Sequence, residues 1–224
     1  MKAAIVEKPG TLTVRQVKDP VPGDYDALCE LLYGATCTGT DSHIIKGEFP
    51  FPIDFPAILG HESVGRVVKI GKKVRNYRVG DLVTRVGAPA TKEIGIAWGG
   101  YAEYGLAQDH WAMAADGLPE SAWGANRVNQ LVPPSVDPRV APMFTTWRET
   151  LSYVTRMGMG RGASVLVIGS GGNGLSFAAH AVNLGATRTW LVGSARSADA
   201  ARAIKVTGFK DHTSPSCAEE LAQE

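Results

Sequence analysis

The stretch "ASVLVIGSGGNGLSFAAHAVNLG" (residues 163–185) joins an apolar run to a glycine cluster and a helix-like segment. It predicts a buried strand over residues 163–169 and a helix that ends near Gly185. A second strand is predicted over 187–193, then a helix within 197–209 and a weak strand near 210–214. Alternating strands and helices with apolar strands predict an α/β fold with a parallel sheet covered on both faces.

The turn between the first strand and its helix matches the pattern GxGxxG. Such glycines allow a tight turn and let the backbone approach a pyrophosphate, whose charge lies at the helix N-terminus. The context after an apolar strand favours a dinucleotide site over the alternative, a glycine-rich turn without a ligand. The candidate cofactor-binding residues of this turn are Gly169, Gly171, Gly172, Asn173 and Gly174.

The end of the second strand bears on the choice of cofactor. An NAD site usually has an Asp or Glu about 20 residues after the glycines, to bind the ribose 2′-hydroxyl. This chain has Gly193, Ser194, Ala195 and Arg196 there. A hydroxyl and a guanidinium suit a 2′-phosphate, so Ser194 and Arg196 favour NADP over NAD. The alternative for Arg196 is a solvated surface residue.

The first 115 residues contain short runs of β-branched and aromatic residues separated by Gly, Pro and Asp, which predict a small barrel or sandwich. Residues 116–140 are proline-rich and indicate a linker. We expect one domain over residues 1–135 and a second over 136–224. The composition, 44% hydrophobic and 20% charged, is typical of a globular protein.

Charge and cysteine content exclude several classes of protein. A formal net charge of +1 gives no electrostatic basis for binding nucleic acid or an anionic membrane, and no run of eighteen apolar residues occurs. Three cysteines are too few for a disulfide framework, and an odd number cannot all be paired within the chain. We therefore expect a cytoplasmic protein.

The first of two further stretches is either an ordinary polar loop or one wall of a metal site where an alcohol is held and its proton removed. "ATCTGTDSH" contains Cys37, Thr40, Asp41 and His43, and "GHESVGRVVKIGKKV" begins at Gly60. The second stretch, with "NYRVGDLV" (76–83) and "GGYAEY" (99–104), resembles the zinc signature of the medium-chain dehydrogenase/reductase family, in particular its alcohol and polyol dehydrogenases. With the glycine-rich turn, the resemblance covers essentially the whole chain.

The resemblance implies a β-rich N-terminal GroES-like barrel followed by the first half of a Rossmann domain. It implies an enzyme that transfers hydride between a nicotinamide cofactor and a secondary alcohol, polyol or sugar, with one catalytic zinc ion. His61 would bind zinc, and Glu62 would lie in or beside the coordination shell. Thr40 would take the alcohol proton, His43 would pass it towards water, and Asp41 would orient the ligand histidine. The alternatives are a surface histidine at His43 and a turn residue at Thr40.

Two departures from the family pattern concern the metal ligands. The family reads Cys-x-(Ser/Thr)-Asp, whereas here two residues separate Cys37 from Thr40. A threonine hydroxyl is a poor zinc ligand, so we expect a bulge that brings Cys37, rather than Thr38, to the metal. The third ligand should fall near Phe144 or Thr145, neither of which binds zinc well. Glu149, one helical turn later, is the substitute, or Glu62 completes the shell.

Three further expectations follow from the resemblance. The loop at residues 86–98 has no cysteine, so no structural zinc is expected. Family members are longer, so we expect a C-terminally truncated chain that is inactive alone and leaves strand 163–169 as an apolar edge. Homo-oligomerisation stays open. The competing hypotheses are a zinc-free enone or quinone reductase of the same superfamily and a non-catalytic nucleotide-binding module.

Overall fold

The computed structural model describes residues 1–222 and divides the chain into two compact units, the first spanning Met1–Thr145 and the second beginning at Thr146. The strands are β1 (Lys2–Lys8), β2 (Thr11–Gln16), β3 (Asp26–Gly34), β4 (Ala57–Ile58), β5 (Ser63–Ile70), β6 (Leu82–Thr84), β7 (Gly95–Ile96), β8 (Tyr104–Gln108), β9 (Ser164–Ile168), β10 (Arg188–Gly193) and β11 (Gly208–Asp211). The helices are α1 (Thr40–Lys46), α2 (His110–Ala115), α3 (Glu120–Trp123), α4 (Phe144–Arg156), α5 (Gly172–Asn183), α6 (Ala198–Ile204) and α7 (Cys217–Leu221).

Two four-stranded sheets form most of the first unit, in the orders β2-β1-β4-β7 and β6-β5-β3-β8. The central strands alternate buried apolar side chains with more exposed ones, as expected for sheets with one face on a core. In the second sheet, Cys29 of β3 and Val67 of β5 are fully or almost fully buried and pack in one cluster with Tyr77 and Val83. The predicted β-rich N-terminal unit is therefore confirmed.

Three short helices interrupt the region predicted as strands and linker. Helix α1 begins at Thr40 and ends at Lys46, because the next residue, Gly47, has a φ of 75° and therefore adopts the left-handed conformation. One apolar residue, Ile44, is completely buried against Val6, Ala57 and Leu59. A helix of seven residues has too few turns to show a clear hydrophobic period in the sequence. So short a helix is stabilised by tertiary packing rather than by helix propensity.

The stretch 116–140 also differs from the predicted linker. It contains α3 and a 3-10 helix over Gly124–Val128. Its later residues pair with β6, since the Val132 N–H donates to the Leu82 carbonyl and the Thr84 N–H to that of Gln130, at 2.8 and 2.9 Å. This segment is therefore part of the first unit, which continues to Thr145.

The second unit is a parallel sheet in the order β11-β10-β9, with α5 and α6 among its helices. The order matches strands 3-2-1 of a dinucleotide-binding fold, and the predicted strands and helices all form. Leu191 of β10 packs with Ala178 and Ala201 in a buried cluster. Strand β9 lies at the sheet edge, where Leu166 and Ile168 are 51% and 80% exposed. Among residues 1–222, no helix has the length and apolar character that crossing a membrane requires.

Candidate functional site

Two segments of the first unit carry the predicted metal and proton-transfer residues. Strand β3 ends at Gly34, and the turn that follows carries Cys37 into the start of α1. The second segment, Gly60 to Glu62, lies directly before β5. The two are joined where the Ala35 N–H donates to the Glu62 carbonyl at 2.9 Å. Pairing of β3 with β5 thus places residues distant in sequence side by side.

The Asp41 carboxylate connects both segments. It is 5% exposed, and its Oδ1 lies 3.2 Å from Nδ1 of His61, itself 9% exposed. Its Oδ2 accepts hydrogen bonds from the Cys37 N–H at 3.0 Å and from the Tyr101 hydroxyl at 2.8 Å. A carboxylate on one imidazole nitrogen fixes the tautomer and leaves Nε2 as the nitrogen that a metal would take.

The electrostatics of the pair follow from these bonds. Burial raises the pKa of Asp41, but the hydrogen bonds from His61, the Cys37 N–H and Tyr101 outweigh it, so the pKa is lowered. Burial lowers the pKa of His61, yet the hydrogen bond and charge of Asp41, with the charges of Glu62 and Cys37, raise it overall. Each partner therefore stabilises the charged form of the other.

The Cys37 thiol lies against the first residues of α1. Burial raises its pKa, but hydrogen bonds from the Thr40 N–H, the Thr40 hydroxyl and the Gly39 N–H lower it overall, assisted by the charge of His61. These donors stabilise a thiolate, which is the form that binds metals. Thr38, the alternative in the family register, is exposed. The assignment of Cys37 as ligand stays a prediction.

The two predicted proton-transfer residues occupy the same short helix. Thr40 is its first residue, and its hydroxyl is one of the groups that lower the pKa of the Cys37 thiol. His43 follows three positions later and is exposed. Residues three apart lie on one face of a helix, so the structure places Thr40 at the thiol and His43 further out towards solvent.

The remaining predicted ligands differ in setting. Glu62 is 4% exposed and follows His61, whereas Glu149 is exposed on α4 in the second unit. The donor types of Cys37, His61 and a glutamate suit zinc. Within residues 1–222, however, no three His, Cys, Asp or Glu side chains are grouped so as to hold a metal ion. The described residues thus bring together a thiol and an imidazole of suitable chemistry, but not a complete donor set.

An aromatic side chain borders His61. The centroid of the Trp98 ring lies 5.3 Å from that of the His61 ring. The same Trp98 centroid lies 5.9 Å from the Phe49 ring centroid and 5.6 Å from the Arg85 guanidinium carbon. Trp98 and Arg85 both have positive φ, at 67° and 52°. Left-handed backbone at bulky residues is costly and clusters at functional sites. Sequence patterns gave no signal for either residue.

Four of the seven predicted nucleotide-binding residues line one cavity of about 630 Å³ in the second unit, and the other three, Gly172, Asn173 and Gly174, are the first residues of α5. Helix α5 begins at Gly172, and a Cβ on Gly174 would collide with the Gly169 carbonyl oxygen, so this close approach requires glycine. Ser194 and Arg196 line the cavity, and the Arg196 Nε donates to the Ser194 hydroxyl oxygen at 3.5 Å. Gly169, Gly171, Ser194 and Arg196 are therefore brought together, as the sequence predicts.

Two lining residues were missed by the sequence analysis. Ser170 accepts a hydrogen bond at its hydroxyl oxygen from the Ser194 N–H, at 3.1 Å, and so joins the two loops of the cavity. His212, which follows β11, also lines the cavity. A signal existed for His212, since the carboxyl ends of parallel strands meet at one edge of a sheet.

Comparison with known proteins identifies the first unit. Residues 23–117 match the model of the alcohol dehydrogenase GroES-like domain. This match, together with the parallel sheet of the second unit, confirms the predicted order of a GroES-like barrel followed by Rossmann-type strands.

Relatives and solved structures resemble nearly the whole chain. L-galactonate-5-dehydrogenase of Escherichia coli (strain K12) is 29% identical over 81% of this chain and 53% of its own length. A candidate zinc-binding dehydrogenase from Sinorhizobium meliloti 1021, solved with NADP bound, is 28% identical with a TM-score of 0.71, over 94% of this chain and 61% of its own. Zinc dependent alcohol dehydrogenase 2 from Streptococcus pneumonia is 25% identical with a TM-score of 0.73, over 100% and 65%. This chain therefore spans about half the length of the first of these relatives.

The hydrogen bonds at Cys37 predict how its thiol reacts. In metal-free protein at pH 7.5, iodoacetamide should modify Cys37 well before Cys29, because burial raises the pKa of Cys29 to about 12. The variant Thr40→Val removes the hydroxyl donor and should raise the pKa of the Cys37 thiol. For each unit by which this pKa rises, Cys37 should react about threefold more slowly, because less of it is thiolate. Mass spectrometry of the modified peptides measures both rates, with Cys29 as the internal control. Equal rates in Thr40→Val and the unmodified sequence would contradict the assigned contact.

Proposed function

We propose that the chain belongs to the medium-chain dehydrogenase/reductase family and that the whole protein is a zinc-dependent, NAD(P)-dependent oxidoreductase. The match to the alcohol dehydrogenase GroES-like domain and the likeness to the dehydrogenases named above support this proposal. The protein transfers hydride between a secondary alcohol, a polyol or a sugar and the nicotinamide cofactor. The observation that carries this proposal is the Asp41 carboxylate on Nδ1 of His61, beside a thiol whose donors favour the thiolate. We assign the catalytic domain to residues 1–135 and part of the nucleotide-binding domain to residues 136–224, whereas the first compact unit of the structure continues to Thr145.

The proposed metal site uses Cys37 and His61 as ligands, completed by Glu62 or Glu149. One catalytic zinc ion, with no structural zinc, would supply Lewis-acid polarisation of the substrate oxygen. Asp41 keeps the proton on Nδ1 of His61, so that Nε2 is available to the metal. The Gly39 and Thr40 donors lower the pKa of Cys37 and so favour its thiolate form.

Proton transfer is assigned to α1. The Thr40 hydroxyl would accept the proton of the substrate alcohol, or return it in the carbonyl-reducing direction. His43, one turn further along the helix and exposed, would exchange that proton with solvent. The order of the residues on the helix, from the thiol outward, supports this relay.

The substrate class and cofactor follow from the relatives and the cavity. The Escherichia coli relative is named for a dehydrogenase of L-galactonate, a sugar acid, which supports a polyol or sugar substrate. NADP is preferred over NAD, since Ser194 and Arg196 line the cavity and no acidic side chain takes the position after β10. The NADP-bound Sinorhizobium structure is consistent with this preference. We also propose a cytoplasmic location, which the three free cysteines support.

A non-catalytic nucleotide-binding protein is the competing function. It is favoured by one observation, the absence of a three-donor group among residues 1–222. Zinc content separates the two functions, because only the oxidoreductase needs the ion.

The zinc proposal predicts the metal content of the purified protein. Protein isolated without chelators should contain about one zinc ion per chain, and the variants Cys37→Ala and His61→Ala should contain almost none. Elemental analysis by mass spectrometry measures the ratio. Cys217→Ala, which changes a thiol in the second unit, serves as the control and should keep its zinc. If the unmodified protein carries no zinc and takes none up, the zinc-dependent oxidoreductase is excluded, and the nucleotide-binding module and the zinc-free reductase are the two functions left.

The cofactor proposal predicts how the adenosine half of the cofactor binds. The protein should bind 2′,5′-ADP about 10- to 100-fold more tightly than 5′-ADP, because a charge-assisted hydrogen bond to the 2′-phosphate contributes about 1.5–3 kcal/mol. Arg196→Ala should reduce the two affinities to near equality. Isothermal titration calorimetry measures them, and Arg202→Ala, which changes an exposed arginine on α6, is the matched control. Equal affinities of the unmodified protein for 2′,5′-ADP and 5′-ADP would contradict the preference for NADP and indicate NAD as the cofactor.

A further inference from the structure

Tyr101 contacts both segments that carry Cys37 and His61. It falls within the "GGYAEY" stretch that resembles the family, but the sequence predicts no role for it at the site. Its ring packs closely on two glycines. A Cβ on Gly34 would lie 2.8 Å from Cε1 of the ring, and one on Gly60 would lie 2.6 Å from Cδ1. Gly34 leads into the Cys37 turn and Gly60 directly precedes His61. The ring therefore sets how closely the two segments approach.

The Tyr101 hydroxyl is bound at the same junction. Its oxygen lies 2.5 Å from the Ala35 carbonyl oxygen and 2.8 Å from Oδ2 of Asp41. A phenol has one proton, so it can donate fully to only one of these acceptors at a time. Either way it ties the turn that carries Cys37 to the carboxylate that holds His61.

The backbone of Tyr101 is fixed independently of its side chain. Its N–H donates to the Leu59 carbonyl, and its carbonyl accepts from the Ala4 N–H, both at 2.8 Å. Gly100 also donates its N–H to the Gly60 carbonyl at 2.8 Å. Tyr101 is thus anchored to β1 and to the residues just before His61, and its hydroxyl extends from this anchor to Asp41.

We infer that Tyr101 is a positioning residue that holds the Asp41 carboxylate on His61 and sets the spacing between His61 and Cys37. That spacing would let the thiol and the imidazole share one metal ion, and this part of the inference rests on the proposed function. The hydrogen bond itself does not depend on that function, because it concerns residues of this chain alone. Tyr101 touches neither substrate nor cofactor in this role.

The test variant is Tyr101→Phe, which keeps the ring between the two glycines and removes only the hydroxyl. The first readout is the His61 imidazole in the metal-free protein, observed by ¹H–¹⁵N NMR. We expect the signature of an Nδ1–H bonded to carboxylate in the unmodified protein, and a shifted signal or a mixture of tautomers in the variant. The second readout is the dissociation constant for zinc, which should rise about tenfold, the lower end of the effect of removing an outer-shell partner.

Two further variants make the result specific. Tyr33→Phe removes the hydroxyl of a 45% exposed tyrosine on β3 and should change neither readout. Gly34→Ala should displace the Tyr101 ring while keeping its hydroxyl, and should change both readouts in the direction of Tyr101→Phe. It also serves if Tyr101→Phe fails to fold.

The outcomes separate this inference from the proposed function. If Tyr101→Phe, or Gly34→Ala in its place, keeps the His61 signal and a zinc dissociation constant within twofold of the original, the inference is wrong and the zinc proposal stands. If the unmodified protein binds no zinc, the NMR signal alone decides. A changed signal then supports the positioning role, while the zinc proposal fails separately, and an unchanged signal overturns the inference.

Discussion

The buried carboxylate of Asp41 is the constraint on which the candidate metal site depends. It contacts the Cys37 N–H, Nδ1 of His61 and the Tyr101 hydroxyl, three groups from separate parts of the chain. A buried charge is costly unless it is paired and hydrogen-bonded, and these contacts offset that cost while the carboxylate fixes the histidine tautomer. The same carboxylate thus stabilises the turn at the start of α1 and orients Cys37 and His61, the residues proposed to bind the metal ion.

The cavity of the second unit depends on close contacts between backbone atoms rather than on a buried charge. Gly174 lies against the Gly169 carbonyl, and the cavity beside it is bordered by backbone and small polar side chains, with Arg196 as a permanent cation. This surface suits an anionic ligand, because N–H groups at a helix start and a guanidinium both favour phosphate.

Much of this could be predicted from the sequence, and the exceptions have physical causes. The strand, glycine turn and helix around Gly169 were predictable because they are local in sequence and periodic. The pairing of Asp41 with His61 came only from the family resemblance, since the two residues are twenty positions apart. The contact between Tyr101 and Asp41 spans sixty positions and depends on how β3, β5 and β8 pair, so no local pattern could indicate it. Helix α1 was missed because its stability comes from burial of Ile44 rather than from its own seven residues.

We propose that Cys37 and His61 share one zinc ion despite the extra residue between Cys37 and Thr40. Zinc K-edge X-ray absorption on the zinc-loaded protein tests this shared coordination most directly, because it distinguishes sulfur ligands from nitrogen and oxygen ligands by their distance to the zinc ion. The account predicts one sulfur at about 2.3 Å and nitrogen or oxygen ligands at about 2.0–2.2 Å, with the sulfur lost in Cys37→Ser. A zinc spectrum with only nitrogen and oxygen ligands in the unmodified protein would contradict it.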